Sequence, residues 1–77
     1  MNHKLPVANA RQVLAALKRA GFVLERTSGS HHLMVHPDNP ARVVVVPFHG
    51  SKDLKPGTLR NIVRQAGLTV DAFRELL

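Results

Sequence analysis

Two adjacent histidines are the residues best suited to chemistry. The stretch "GSHH" places the imidazoles of His31 and His32 directly after a Gly-Ser turn. Imidazole titrates near neutral pH, so such a group can remove a proton from a ribose 2′-hydroxyl or protonate a leaving 5′-oxygen. RNA carries its own nucleophile, so its cleavage needs little more than one histidine and cations that hold the phosphate. Taken alone, however, the doublet is more simply read as two polar residues at a strand end.

Cations of the required kind follow in "SKDLKPGTLR". Lys52 and Lys55 precede a predicted helix, and Arg60 lies just inside it. Free N–H groups at a helix N-terminus favour phosphate, and neighbouring cations strengthen such a site. Lysines at this end oppose the helix dipole, so their presence favours a bound anion over an ordinary solvated loop. We expect further RNA contacts from three residues outside this stretch: Arg26, Ser30 and His49.

The composition is that of a small basic protein. The 77 residues carry a formal charge of +6 and contain no cysteine. A strong positive balance favours a polyanion such as nucleic acid, although docking on an acidic protein is the alternative. The five acidic residues form no paired motif, and no histidine spacing suggests zinc, so we expect no metal. The chain has no membrane-length apolar run and no signal peptide, so we expect a single cytoplasmic domain over residues 1–77.

Apolar periodicity and turn residues predict the elements in chain order. We expect a helix over 10–20, strands over 22–27, 31–36 and 42–47, a helix from Pro56 to Gly67, and a short helix after Thr69. The order α-β-β-β-α(-α) predicts an α+β fold in which a three-stranded antiparallel sheet carries the helices on one face. The run "VVVV" is typical of a buried central strand.

Strand alternation separates the two histidines. His31, Leu33 and Val35 share one face of the second strand, and His32 lies on the other face. We expect Leu33 and Val35 to face the helices, which would put His31 on the helix side and His32 on the open side. Adjacent strand residues point in opposite directions, so the doublet cannot chelate one metal ion.

Several motifs in order resemble a known family. A basic helix ending in "GF", then "GSHH", "HPD", a "VVVP.H" strand and "LKPGTLRNIVRQAGL" together are similar to HicA-type toxins of bacterial HicAB toxin–antitoxin modules. The resemblance covers almost the whole chain, and its motifs are specific when they occur together. It implies a double-stranded-RNA-binding-domain-like fold, cleavage of mRNA with inhibition of translation, and a cognate HicB-type antitoxin that covers the active site.

The resemblance also implies which residues act. The family's catalytic histidine follows the Gly-Ser turn, which corresponds to the doublet, with His31 preferred and His32 close behind. Domains of this fold touch double-stranded RNA through the first helix, the first hairpin loop and the start of the last long helix. These regions correspond here to 11–19, "TSGSHH" and "SKDLKPG". A non-catalytic double-stranded-RNA-binding module remains the alternative function.

Overall fold

Six elements follow one another in the order predicted from the sequence. The computed structural model describes residues 4–77, so His3 lies outside the described residues. The elements are α1 (Ala10–Arg19), β1 (Val23–Ser28), β2 (His31–His36), β3 (Asn39–Pro47), α2 (Pro56–Gln65) and α3 (Val70–Leu76). The three strands form one antiparallel sheet in the order β1-β2-β3. The predicted α+β class and its double-stranded-RNA-binding-domain-like order of elements are confirmed.

Local sequence determines where the two long helices start and stop. The Asn9 side chain accepts a hydrogen bond from the Gln12 N–H, and the Gln12 side chain accepts one from the Asn9 N–H, each at 2.9 Å. This reciprocal cap satisfies two N–H groups that have no partner inside α1. Gly21 and Gly67 adopt φ of 99° and 73° directly after α1 and α2, where a left-handed residue lets the chain turn back.

The strand of consecutive valines differs from the prediction. It begins at Asn39 rather than Arg42, and it lies at the edge of the sheet, with β2 in the centre. Pro40 can start this strand because an edge position needs no N–H on its outer side. The helices cover one face only, so the valines alternate: Val44 and Val46 are fully buried, whereas Val43 and Val45 are exposed.

The core lies between the sheet and the helices. Met34 and Val44 pair across β2 and β3 and are 0% exposed. They pack with the apolar faces of α1 and α2 and with Phe73 of α3 in one cluster of buried residues. The prediction that the helices share one face of the sheet is therefore confirmed. The opposite face, called the open face below, has no helix over it in the part of the chain that the structure describes.

Candidate active site

A tight hairpin sets the direction of each histidine. Strand β1 ends at Ser28 and β2 begins at His31, so only Gly29 and Ser30 connect them. Gly29 has φ of 58°, and Ser30 keeps a negative φ. A two-residue loop with glycine at the positive-φ first position has the pattern of a type II′ turn, which matches the twist of the two strands. The loop pairs Ser28 with His31 and thereby fixes the register of the hairpin.

The two imidazoles lie on opposite sides of the sheet. His32 shares a face with Met34, which is buried under the helices, and is itself half-buried. His31 is exposed on the open face. The expectation that His31 faces the helices is therefore wrong. It failed because Leu33 and Val35, although apolar, lie on the open face of β2, as the alternation from Met34 requires.

The ring of His32 is held by an aromatic neighbour. It lies against the ring of Phe48, with the centroids 5.1 Å apart and the planes inclined at 33°. The Nδ1 atom of His32 is buried and has no hydrogen-bond partner among the described residues. A half-buried imidazole with one nitrogen sealed in this way can offer a substrate only its other nitrogen, Nε2.

Phe48 was not singled out from the sequence, yet it connects three segments of the fold. Its backbone N–H donates a hydrogen bond to the Ser30 carbonyl at 2.5 Å, which attaches the loop after β3 to the hairpin turn. The guanidinium of Arg11 in α1 lies over its ring, 5.9 Å from the centroid. This distance is within the range of a cation–π contact. The Arg11–Phe48–His32 stack thus joins α1 to the start of β2.

The loop after Phe48 forms a groove with two lysines. This groove has a volume of about 440 Å³ and is lined by Pro47, His49, Lys52, Asp53, Leu54, Lys55 and Thr58. Its far side is attached to the segment before α1, because the Leu54 N–H donates to the Ala8 carbonyl at 2.9 Å and Asp53 forms a β-bridge with Asn9. The structure therefore brings the predicted residues His49, Lys52 and Lys55 together.

The N-terminus of α2 opens into the same groove. Lys55 is the N-cap residue but makes no side-chain capping hydrogen bond, and the first turn holds no acidic residue. Pro56 has no N–H to satisfy, so Gly57 and Thr58 present the N–H groups that lack an acceptor inside the helix. This end of the helix can take an anion, as the lysine pattern predicts.

The other predicted site residues are more scattered. Arg60 is exposed near the start of α2, just after its first turn and next to buried Leu59. Arg26 pairs with Leu33 across β1 and β2, which places it on the open face with His31 and away from the helices. Ser30 is half-buried in the hairpin turn. The structure therefore places Arg26 and His31 on the open face, although the strand partner of His31 is Pro47, which lines the lysine groove.

The described residues provide neither a cluster of metal ligands nor a membrane-spanning helix. Residues 4–77 contain no group of three or more His, Cys, Asp or Glu side chains placed to hold a metal ion. None of the helices in that range is both long and apolar enough to cross a membrane.

Comparison with protein families identifies the chain. The model of the HicA toxin of bacterial toxin–antitoxin systems matches residues 10–68, which extend from α1 through the end of α2. The chain belongs to the HicA toxin family. Membership makes it the toxin of a toxin–antitoxin pair, in a family that is broadly one of ribonucleases and that implies a cognate antitoxin. No curated protein matches the sequence significantly. The matched range of the HicA family includes the hairpin, Phe48 and the lysine groove.

Proposed function

We propose that this HicA toxin is an endoribonuclease that cleaves mRNA, with His32 as its general acid–base. The observation that carries the proposal is the position of His32, which is half-buried on the helix side against Phe48, with Nδ1 sealed from solvent. Nε2 then removes the proton from a ribose 2′-hydroxyl. The 2′-oxygen attacks phosphorus and the bond to the 5′-oxygen breaks. That oxygen takes up the proton held by His32, directly or through water, which leaves a 2′,3′-cyclic phosphate and a 5′-hydroxyl.

The phosphate is held by the groove beside Phe48. Lys52 and Lys55, with the free N–H groups at the start of α2, supply positive charge where the phosphorane becomes more negative. His49 lines the same groove, Ser30 forms the adjoining turn, and Arg60 extends the basic surface along α2. The mechanism requires no metal or other cofactor. We propose that the toxin acts in the bacterial cytoplasm, where cleavage stops translation until a HicB-type antitoxin binds.

A matched pair of histidine variants tests the proposal. Purified parent, His31→Ala and His32→Ala proteins are incubated with an RNA whose ends are protected, in the presence of EDTA. Cleavage and RNA affinity are measured separately. Loss of a general acid–base lowers the rate by about 10²- to 10⁴-fold. We expect that loss for His32→Ala with RNA affinity retained, and a change of no more than a few-fold for His31→Ala.

Other outcomes contradict specific parts of the proposal. Full cleavage by His32→Ala would remove that histidine from the chemistry, and loss in His31→Ala alone would move the role to the open face. A parent protein that binds RNA tightly but cleaves none would instead favour the non-catalytic RNA-binding module. A His32→Gln variant controls for the cavity that alanine leaves beside Phe48.

A further inference from the structure

The open face carries an apolar surface that the fold itself does not use. Cross-strand pairing aligns Val23, Val35 and Val43 in one row and Arg26, Leu33 and Val45 in the next. Val23, Val43 and Val45 are 47%, 40% and 41% exposed. We refer to these six residues as the valine face.

Alternation in a one-sided sheet normally gives polar residues on the solvent side. Antiparallel sheets with one covered face read as apolar inward and polar outward. Here Val43 and Val45 point away from the helices, yet they are as apolar as the buried Val44 and Val46. Contiguous exposed apolar residues of this kind mark protein–protein contact surfaces.

One cation lies within this apolar surface. Arg26 occupies the row with Leu33 and Val45, and it makes no hydrogen bond or ion pair with the described residues. A protein that covers the valine face must place an acceptor opposite this guanidinium, because a desolvated charge without a partner is strongly unfavourable. A carboxylate is the acceptor that matches the fork of the guanidinium.

Charge distinguishes among the possible occupants. RNA is bound mainly through phosphate contacts, and the valine face offers one cation among five aliphatic side chains. A second copy of this chain would bring together two proteins of formal charge +6 and, across a two-fold axis, oppose like surfaces. An acidic protein partner meets both the apolar surface and the charge.

We propose that the antitoxin docks on the valine face, packing aliphatic side chains on Val43 and Val45 and placing a carboxylate on Arg26. The proposal relies on the assignment of the chain as a toxin with an antitoxin partner, but not on the catalytic role of His32. It places the antitoxin contact on the face opposite the helices, from which an antitoxin covers the active site by extending past Pro47, a residue that also lines the lysine groove. The edge of the valine face reaches His31, because the row of Ser28, His31 and Pro47 adjoins the row of Arg26.

The test measures antitoxin affinity with no RNA present. The cognate antitoxin is purified, and its dissociation constant is determined for the parent, Val45→Lys, Arg26→Gln and Arg26→Glu. Leu24→Lys is the matched control, because Leu24 is an equally exposed (44%) apolar residue that pairs with Met34 and so points to the other face of the sheet. Thermal unfolding verifies that each variant is folded.

We expect Val45→Lys and Arg26→Glu to weaken the complex about 30-fold or more, as substitutions at the centre of an interface do. Arg26→Gln should fall between Arg26→Glu and the parent, and Leu24→Lys should stay within a few-fold of it. RNA cleavage by Val45→Lys should match that of the parent. Since affinity is measured without RNA, a toxin that cleaves nothing would refute the ribonuclease proposal and leave this one intact.

Three results would overturn the docking proposal. The first is parental antitoxin affinity in both Val45→Lys and Arg26→Glu. The second is an equal loss in Leu24→Lys, which would mean that added charge acts without regard to the face. The third is a parent homodimer in sedimentation that Val45→Lys dissociates while antitoxin affinity is unchanged, which would assign the valine face to a second copy.

Discussion

The imidazole of His32 lies on the ring of Phe48, at a centroid separation of 5.1 Å, although sixteen positions separate the two residues in the chain. The contact depends on the hydrogen bond from the Phe48 N–H to the Ser30 carbonyl, which holds the end of β3 beside the turn that precedes the doublet. The position of the proposed general acid–base is therefore set by the loop after β3 as well as by its own strand.

Replacing Phe48 should impair catalysis more than RNA binding. Phe48→Leu keeps an apolar side chain but removes the ring against His32 and the face beneath Arg11. Misplacement of a reacting group by about 1 Å costs on the order of 10²-fold in rate. We expect a decrease in kcat of about 10- to 100-fold with KM nearly unchanged, measured on a short RNA. A parental kcat would show that the ring does not position His32.

The lysine groove should determine how RNA affinity depends on salt. Each cation that neutralises a phosphate contributes about 0.7 to 0.9 to the slope of log affinity against log salt concentration. Lys52→Gln and Lys55→Gln should each lower that slope by this amount, and the double variant by the sum. Arg64→Gln, an exposed change in the last turn of α2 and outside the predicted RNA contacts, provides a comparison. An unchanged slope in the double variant would exclude the groove as a phosphate site.

Alanine substitutions at Gly57, inside α2, and at Gly67, just after it, should change the free energy of unfolding in opposite directions. Gly67 has φ of 73°, and an added Cβ would meet the guanidinium of Arg42. A left-handed residue other than glycine costs about 1–2 kcal/mol, so Gly67→Ala should lower the free energy of unfolding by at least that amount. Gly57 lies inside α2 with open space around it, and Gly57→Ala should raise stability by up to about 1 kcal/mol. Urea denaturation of both variants measures the difference.

The reciprocal cap of α1 should contribute measurably to stability. Asn9→Ala removes the acceptor for the Gln12 N–H and should lower the free energy of unfolding by about 1 kcal/mol. Asn9→Asp retains an acceptor at that position and should stay close to the parent. Equal stability of all three proteins in thermal unfolding would mean that water replaces the cap without loss.

Features set by local sequence were predicted well. Helices predicted over 10–20 and from Pro56 to Gly67 are each followed or ended by a left-handed glycine, Gly21 and Gly67, and Asn9 caps α1 directly before its predicted start. The bounds of β2 were also predicted correctly, since the Gly-Ser turn and Pro37 flank it.

Features set by packing were not predicted from the sequence. Both faces of β2 are apolar, so alternation separates His31 from His32 without indicating which face the helices cover. For the same reason, the valines of β3 suggested a central strand although it lies at the edge. Phe48 gave no local signal, because its role comes from contacts with residues distant in sequence.

The two-residue hairpin has a consequence for insertions. A shift of β2 by one residue would exchange its two faces, moving Met34 out of the core and Leu33 into it. Neighbouring positions of a strand normally carry different residues, so such an exchange would normally also remove a functional side chain from its site. Here an imidazole would still point toward the helices, because positions 31 and 32 carry the same residue. A single glycine inserted after Gly29 should therefore shift the register of β2 and still leave an imidazole on the helix side of the sheet.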